Sequence, residues 1–129
     1  MDRRRERCQR GEAAVETVLV APIVLFLVLL VIQAGLWFHG SQLVEAAAQE
    51  GMQAGRVETG TVSAAEERAK QFVTSLSPLI AATTEVQASR TASTTPVTVT
   101  AQVQQVVPGL RLAVSGVAEG PTERFREDR

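Results

Sequence analysis

The feature that most constrains this chain is an uncharged hydrophobic segment near its start. Between Thr17 and Phe38 the sequence contains no Asp, Glu, Lys or Arg and is dominated by Val, Leu and Ile. At about 1.5 Å per residue, a helix over this segment is roughly 33 Å long, which is enough to cross the hydrocarbon core of a bilayer. The sequence therefore predicts a transmembrane helix.

This helix is expected to remain in the mature protein. A cleaved secretory signal has a shorter apolar region that is followed by a small-residue cleavage site. Here hydrophobicity continues to Trp37 and Phe38, which are aromatic residues typical of a membrane interface. Since no later segment is hydrophobic enough to cross back, we expect a single-pass cell membrane protein.

The residues before the hydrophobic segment are strongly basic. Within the first ten residues, five arginines stand against only Asp2 and Glu6; they are Arg3, Arg4, Arg5, Arg7 and Arg10. Basic residues beside a span mark its cytoplasmic side, so the N-terminus is expected in the cytoplasm and everything after His39 outside it. Direct nucleic-acid binding is disfavoured, because this basic cluster lacks interleaved aromatic residues and adjoins the membrane segment.

Two residues interrupt the simple pattern of a membrane anchor. Glu16 is an ionisable residue at the start of the apolar run, and Pro22 cannot donate a backbone hydrogen bond to the carbonyl of Val18. A carboxylate in the first turn of a helix is stabilised by the helix dipole by about 0.3–1 kcal/mol. A proline is tolerated in a membrane helix where neighbours satisfy the freed carbonyl. The two residue types alone leave structural and functional roles open.

In context these residues match a known signal. The run G-E-A-A-V-E from Gly11 to Glu16, followed by an apolar helix, resembles the class III signal of type IV pilins and pseudopilins. The longer string A-V-E-T-V-L-V-A-P, which ends at Pro22, is similar to the TadE-like family of tight-adherence pilus pseudopilins. The resemblance implies that a prepilin peptidase cuts between Gly11 and Glu12. The chain departs from many pilins in placing Glu12, rather than a hydrophobic residue, at the new N-terminus.

The resemblance also implies partners and roles. The partners are the lipid membrane, the prepilin peptidase, other pilins or pseudopilins and, indirectly, a pilus assembly platform and its ATPase. A glycine at the cut lowers the cost of leaving a helix, and cleavage removes every arginine of the leader. An unpaired carboxylate at mid-bilayer costs about 2.5–3.5 kcal/mol. We therefore expect Glu16 to pair with the new amine of Glu12, in its own chain or a neighbour, and to set the register between subunits. Pro22 is assigned to the same assembly and register site.

The chain is expected to divide into four parts. These are a cleaved leader (1–11), a transmembrane and assembly helix (12–56), a small exported α+β domain (57–118) and a charged flexible tail (119–129). In the helix, Ala47, Gly51 and Gly55 recur every four residues. Such small residues let another helix approach closely. The alternative is that the alanines favour helix while the glycines fray its end.

A second helix is expected after a turn at residues 57–62. Ser63 and Glu66 have the spacing of a capping box, and Pro78 ends the helix. Glu66 and Lys70 can pair across one turn. One face is apolar and is expected to pack on a sheet rather than to form a groove for a partner; it comprises Ala65, Ala69, Phe72, Val73 and Leu76.

Three strands are expected to follow. Residues 84–91 alternate modestly, residues 97–103 alternate cleanly between Val or Ala and Thr or Gln, and residues 111–118 form the third strand. Residues 92–96 are expected to form the first turn. The predicted fold class is therefore an α+β membrane protein: a long N-terminal transmembrane helix that continues outside the bilayer, a second helix and an antiparallel sheet of about three strands.

The sequence offers no constellation for catalysis. Cys8 lies in the charged leader and His39 lies at the membrane, so neither has a partner for nucleophilic chemistry or metal binding. We therefore predict no enzyme activity, no metal and no cofactor. The leading interpretation is a pseudopilin or minor pilin. The alternative is a permanently anchored single-pass membrane protein with a small extracytoplasmic binding domain, and loss of the leader distinguishes the two.

Overall fold

The computed structural model describes the backbone of residues 3–123 and the side chains of residues 15–123. Three helices are followed by three strands; they are α1 (Arg3–Arg56), α2 (Val62–Leu76), α3 (Pro78–Ala81), β1 (Glu85–Ala88), β2 (Thr94–Gln102) and β3 (Ala113–Pro121). The strands pair in the order β1-β2-β3, and both pairs are antiparallel. The structure confirms the predicted α+β membrane fold.

Helix α1 dominates the shape of the molecule. It is a single helix of 54 residues, about 80 Å long, and it continues through Pro22. Of the helices in the described part of the chain, α1 alone is long and apolar enough to cross a membrane. The predicted continuation of the transmembrane helix to Arg56 is therefore confirmed.

The sheet buries one face under the helices. In β2 the side chains of Thr95, Val97, Val99 and Ala101 point inward, while the alternate residues are exposed or half-buried. α1 packs across β2 and β3, and α2 packs mainly on α1 and β1. Because one face is covered and the other is open to solvent, the strands show the strict alternation that is typical of antiparallel sheets.

The start of α2 differs from the prediction. Its N-cap is Thr61, whose extended backbone precedes the helix and whose hydroxyl accepts a 3.1 Å hydrogen bond from the amide of Ala64. Ser63 lies inside the first turn, so the predicted capping box at Ser63 is wrong. Glu66 accepts a 3.5 Å hydrogen bond from the amide of Ala88 and so links α2 to β1.

The apolar face of α2 is narrower than predicted. Ala65, Ala69 and Val73 are buried, and Phe72 packs partly against the core. Leu76 is 59% exposed, so its predicted place in this face is wrong. The helix ends at Leu76, and Pro78 then begins the short helix α3.

The first two strands also have corrected bounds. β1 ends at Ala88, and β2 begins at Thr94, inside the predicted turn. Pro96 lies within β2, where its carbonyl accepts from the amide of Ser89 at 3.1 Å. The last pair between β1 and β2 joins Ala88 to Val97. The missing N–H of Pro96 faces the same side, towards Ser89, so only one of the two bonds of that pair can form and the ladder between β1 and β2 ends there.

β3 reaches further than predicted. It ends at Pro121, so the charged tail does not begin at residue 119; residues 124–129 lie outside the described part of the chain. The amide of Glu123 donates a 2.8 Å hydrogen bond to the carbonyl of Arg56, and the Glu123 carboxylate lies 3.6 Å from the Arg56 guanidinium. These contacts hold the end of the sheet against the end of α1.

Candidate functional site

The side chains that α1 presents divide the helix into two segments. In the lipid-facing segment, Val15–Ile32, every side chain is exposed except those of Leu29 and Leu30, which are half-buried. In the packed segment, residues 33–56, one face is covered by the α+β domain that follows α1. Residues 17–32, which follow the charge of Glu16, span about 24 Å of helix, somewhat less than the thickness of a hydrocarbon core. The surface available to lipid on all sides therefore ends near Ile32, earlier than the predicted Phe38.

Glu16 and Pro22 both lie on the lipid-facing segment. The side chain of Glu16 is exposed, and it lies at one end of a shallow, mainly apolar groove on α1. The other residues that line this groove are Thr17, Val20, Ala21, Val24, Leu25 and Val28. Because α1 begins at Arg3, Glu16 does not occupy the first turn of the uncut chain, and the helix dipole does not explain its presence there.

The predicted cleavage site lies further toward the N-terminus. The backbone of Gly11 and Glu12 belongs to α1. Their side chains, like that of Cys8, fall outside the described residues. A peptidase that binds an extended segment would therefore have to unwind α1 at this bond.

The small residues Ala47, Gly51 and Gly55 face the interior of their own domain. A Cβ added to Gly51 would lie 2.8 Å from the carbonyl oxygen of Ala65 and 3.1 Å from the Cβ of Ala69. A Cβ added to Gly55 would lie 2.9 Å from the Cβ of Ala65. The close helix approach at these positions is therefore made by α2 of the same chain.

β2 runs antiparallel to α1 along the packed segment. The side chain of Thr95 lies 3.0 Å from the position of a Cβ on Gly55, and that of Val97 lies 3.2 Å from one on Gly51. At the other end, Val103 lies 3.1 Å from the position of a Cβ on Gly40.

β3 runs in the same direction as α1 and lies even closer to it than β2 does. A Cβ on Gly116 would lie 2.5 Å from the backbone of Val44 and Glu45, and one on Gly120 would lie 2.5 Å from the sulfur of Met52. These contacts determine the position of the α+β domain along the helix.

Gln33 is a buried polar residue of α1 that the sequence did not single out. Its side chain is 1% exposed, although it lies in the middle of an apolar run. Its Oε1 accepts from the amides of Val106 at 2.7 Å and Val107 at 3.2 Å, and its Nε2 donates to the carbonyl of Gln104 at 3.2 Å. The signal that could have found it is the presence of one amide side chain in a segment that otherwise avoids hydrogen-bonding groups.

Arg90 is a second residue that the sequence did not reveal. Its guanidinium donates to the carbonyls of Gly55 at 3.0 Å, of Glu58 at 3.3 Å and of Gly60. The last carbonyls of a helix lack partners within the helix, and a cation is stabilised at that end by the helix dipole. Arg90 therefore ties the segment after β1 to the C-terminus of α1.

Metal binding finds no support among the residues with described side chains. No group of three His, Cys, Asp or Glu residues lies close enough to hold an ion there. His39, the only histidine of the sequence, is exposed on α1 beside Phe38.

Comparisons with known proteins point to α1. Residues 11–53 match the family model described as TadE-like protein. The match begins at Gly11 and lies wholly within α1, so the residues after Arg56 fall outside it. Comparisons with curated proteins and with solved structures gave no significant match.

Proposed function

From the premise that residues 11–53 carry the TadE-like segment, we propose that this protein is a minor pilin or pseudopilin of a tight-adherence-type pilus. The observation that carries the proposal is that the family match begins at Gly11, beside the expected cut, and lies within one helix, whose apolar side chains between Val15 and Ile32 are mostly exposed. Such a surface is suited first to lipid and then, after extraction, to the helices of neighbouring subunits.

In this proposal α1 divides two tasks between its segments. The packed segment carries the exported domain through Gly40, Gly51 and Gly55, which contact that domain closely. The side chains of the lipid-facing segment are exposed except for the half-buried Leu29 and Leu30, so most of its surface remains available for packing between subunits. Other pilins, a prepilin peptidase, an assembly platform and its ATPase are the proposed partners, and the protein itself is proposed to have no catalytic role.

Orientation follows from the charges that flank α1. Five arginines precede the lipid-facing segment, which favours a cytoplasmic N-terminus and an extracytoplasmic domain. Cleavage after Gly11 would remove this basic leader. The mature helix would then begin at Glu12, where a free amine replaces the positive cluster.

The cleavage step is tested by measuring intact mass. The full chain is incubated in membranes with and without a prepilin peptidase, and loss of Met1 to Gly11 is expected only with the enzyme. Gly11→Ala should block or slow this loss, because alanine holds the scissile bond more firmly in the helix. Gly35→Ala is a matched control in the same helix, since a Cβ at Gly35 meets no atom within 4 Å. If the leader stays on wild-type protein, the permanently anchored alternative replaces this proposal.

The register role of Glu16 is tested separately. Its carboxylate is exposed at the end of the apolar groove, which supports the proposal that it pairs with the N-terminal amine of a neighbouring helix. An unpaired carboxylate in the bilayer centre costs about 2.5–3.5 kcal/mol, so pairing would favour one axial register over others. Glu16→Ala should reduce incorporation into pili without preventing cleavage. Incorporation at the wild-type level would contradict the proposed role.

A further inference from the structure

The connection between β2 and β3, residues 103–112, extends beyond the end of the sheet along α1. Val103 lies at the level of Gly40, whereas Val106 and Val107 are bonded to Gln33. Seven residues of helix separate these two levels, which corresponds to about 10 Å. The connection therefore runs toward the lipid-facing segment.

The level of Gln33 is close to the surface of the membrane. Gln33 lies 17 residues after Glu16, the last charged residue before the apolar run, and this distance is about 26 Å, slightly less than a hydrocarbon core of about 30 Å. Whatever part of the chain binds Gln33 must therefore lie at the boundary between head groups and acyl chains. That part is the backbone of residues 104–107.

We propose that this end of the domain docks into the head-group region of the bilayer that α1 crosses, and forms a second membrane contact beside the helix. The contact surface, which we call the membrane-proximal rim, consists of Leu79, Pro108, Leu110 and Arg111. Leu79 is 71% exposed, Pro108 and Arg111 are exposed, and Leu110 is half-buried. The rim continues the apolar surface that the lipid-facing segment begins.

The rim is anchored to the helix at a second point. Leu79 belongs to α3, and its neighbour Ile80 is buried within 3.6 Å of the position of a Cβ on Gly40. Leu79 and Arg111 line one depression together with Gln104, which is bonded to Gln33. The two parts of the rim therefore face the membrane as one surface.

The backbone of the rim is suited to a membrane interface. Leu110 donates a 3.1 Å hydrogen bond to the carbonyl of Val107, with Pro108 second and Gly109 third in the turn. Gly109 has a φ of 83°, which the third position of a type II turn requires. The amide of Val103 donates to the carbonyl of Leu112 at 2.9 Å. Because these groups are already paired, little hydrogen bonding to water is lost on entering an apolar boundary.

The charge of the rim fits the same partner. Arg111 is exposed beside Leu79 and two glutamine side chains, those of Gln104 and Gln105. A long basic side chain next to apolar residues can extend into the phosphate layer while its neighbours enter the acyl boundary. This contact requires only that α1 crosses the membrane, and it does not depend on cleavage or on pilus assembly.

The test places environment-sensitive fluorophores on the full chain. In a Cys8→Ser background, single labels are introduced by Leu79→Cys or Pro108→Cys at the rim, or by Glu119→Cys as the control. Glu119 is exposed on β3 and pairs with Pro96, at the end of the sheet far from Gln33. The proteins are reconstituted at low density into phosphatidylcholine–phosphatidylglycerol vesicles with or without lipids that carry a quencher in the head-group region.

The two rim labels should show blue-shifted emission and lose intensity when quencher lipids are present, and the control label should show neither change. Equal, water-like emission from all three labels would overturn the proposal. Quenching of the control label as strongly as the rim labels would also overturn it, because the domain would then lie flat on the membrane. Blue-shifted emission that disappears when the protein is diluted in lipid would identify a second copy of the chain as the partner instead.

Discussion

Gly116 gives the sharpest test of how the domain is fixed to α1. A methyl group at this position would lie 2.5 Å from the backbone carbonyl of Val44 and from the backbone nitrogen of Glu45. Ordinary contacts between carbon atoms are about 3.5–4.0 Å, so α1 would have to move away by about 1 Å. A helix backbone cannot rotate aside as a side chain can. Gly116→Ala should therefore destabilise the domain.

Two opposing effects set the size of this change. Replacing glycine by alanine reduces the entropy of the unfolded chain, which stabilises a protein by about 0.4–1 kcal/mol where alanine fits. Inserting a methyl group into a tightly packed contact costs about 1–3 kcal/mol and occasionally more. Because the contact at Gly116 is with backbone, we expect a cost at the top of that range or slightly above it, about 3–3.5 kcal/mol, and therefore a net loss of about 2–3 kcal/mol in the free energy of unfolding.

Amide hydrogen exchange in β2 and β3 measures this loss in the full chain in detergent micelles. Since about 1.4 kcal/mol corresponds to a factor of ten, exchange of the protected amides should accelerate roughly 30- to 140-fold. Ser115→Ala is the matched control, because Ser115 is exposed on the other face of the same strand. If Gly116→Ala exchanges no faster than Ser115→Ala, the close contact between β3 and α1 does not exist and our account of the packing is wrong.

Other substitutions test contacts of different kinds. Gly120→Ala should cost less than Gly116→Ala, because its methyl group meets the flexible side chain of Met52 at 2.5 Å, and Met52→Ala should offset part of that cost in the double variant. Arg90→Gln should lower the stability of the domain by about 1–3 kcal/mol through loss of charged hydrogen bonds at the end of α1. Arg68→Gln breaks an exposed ion pair with a 2.8 Å contact and should cost less. An equal loss of stability in the two variants would contradict that reasoning. Thr61→Ala should cost about 1 kcal/mol through loss of the α2 cap, measured by exchange of the first α2 amides, while Thr61→Ser should restore it.

The sequence was sufficient to predict the elements whose side chains follow a simple period. The unbroken apolar run predicted the membrane helix, and the alternation from Val97 to Val103 predicted the buried face of β2, whose residues are buried as expected. In both cases burial on one side, or in lipid, directly selects the residue types. No knowledge of distant contacts is needed to read such patterns.

Element ends were harder to predict because distant contacts determine them. β1 stops at Ala88, and two residues later Arg90 leaves the sheet to reach the carbonyls at the end of α1. The hydroxyl of Thr91 accepts hydrogen bonds from the amides of Ser93 and Thr94 and so forms the turn. β2 begins at Thr94, so the turn is shorter than the predicted turn over residues 92–96. The turn at Thr91 is local, but the partners of Arg90 lie 30 to 35 residues away in the sequence, so no local pattern indicates where β1 ends.

The candidate site was only partly predictable for the same reason. The spacing of Ala47, Gly51 and Gly55 indicated a close approach but not its partner, which lies in α2 and β2 of the same chain. Gln33 was absent from the prediction because its three hydrogen bonds go to backbone groups more than seventy residues away. Backbone N–H and C=O groups are the same in nearly every residue. A side chain that hydrogen-bonds to them therefore has partners that no sequence motif identifies.

Because β2 runs antiparallel along α1, the two elements restrict where residues can be inserted into the sequence. Fifteen residues of helix between Gly40 and Gly55, about 22 Å, lie against eight residues of strand between Thr95 and Val103, about 26 Å. One inserted residue turns a helix by 100° but reverses the facing of a strand, so no single insertion in either element preserves both spacing and orientation. Length can vary only in the turns, and the height of the domain above the membrane is therefore set by whole elements rather than by individual residues.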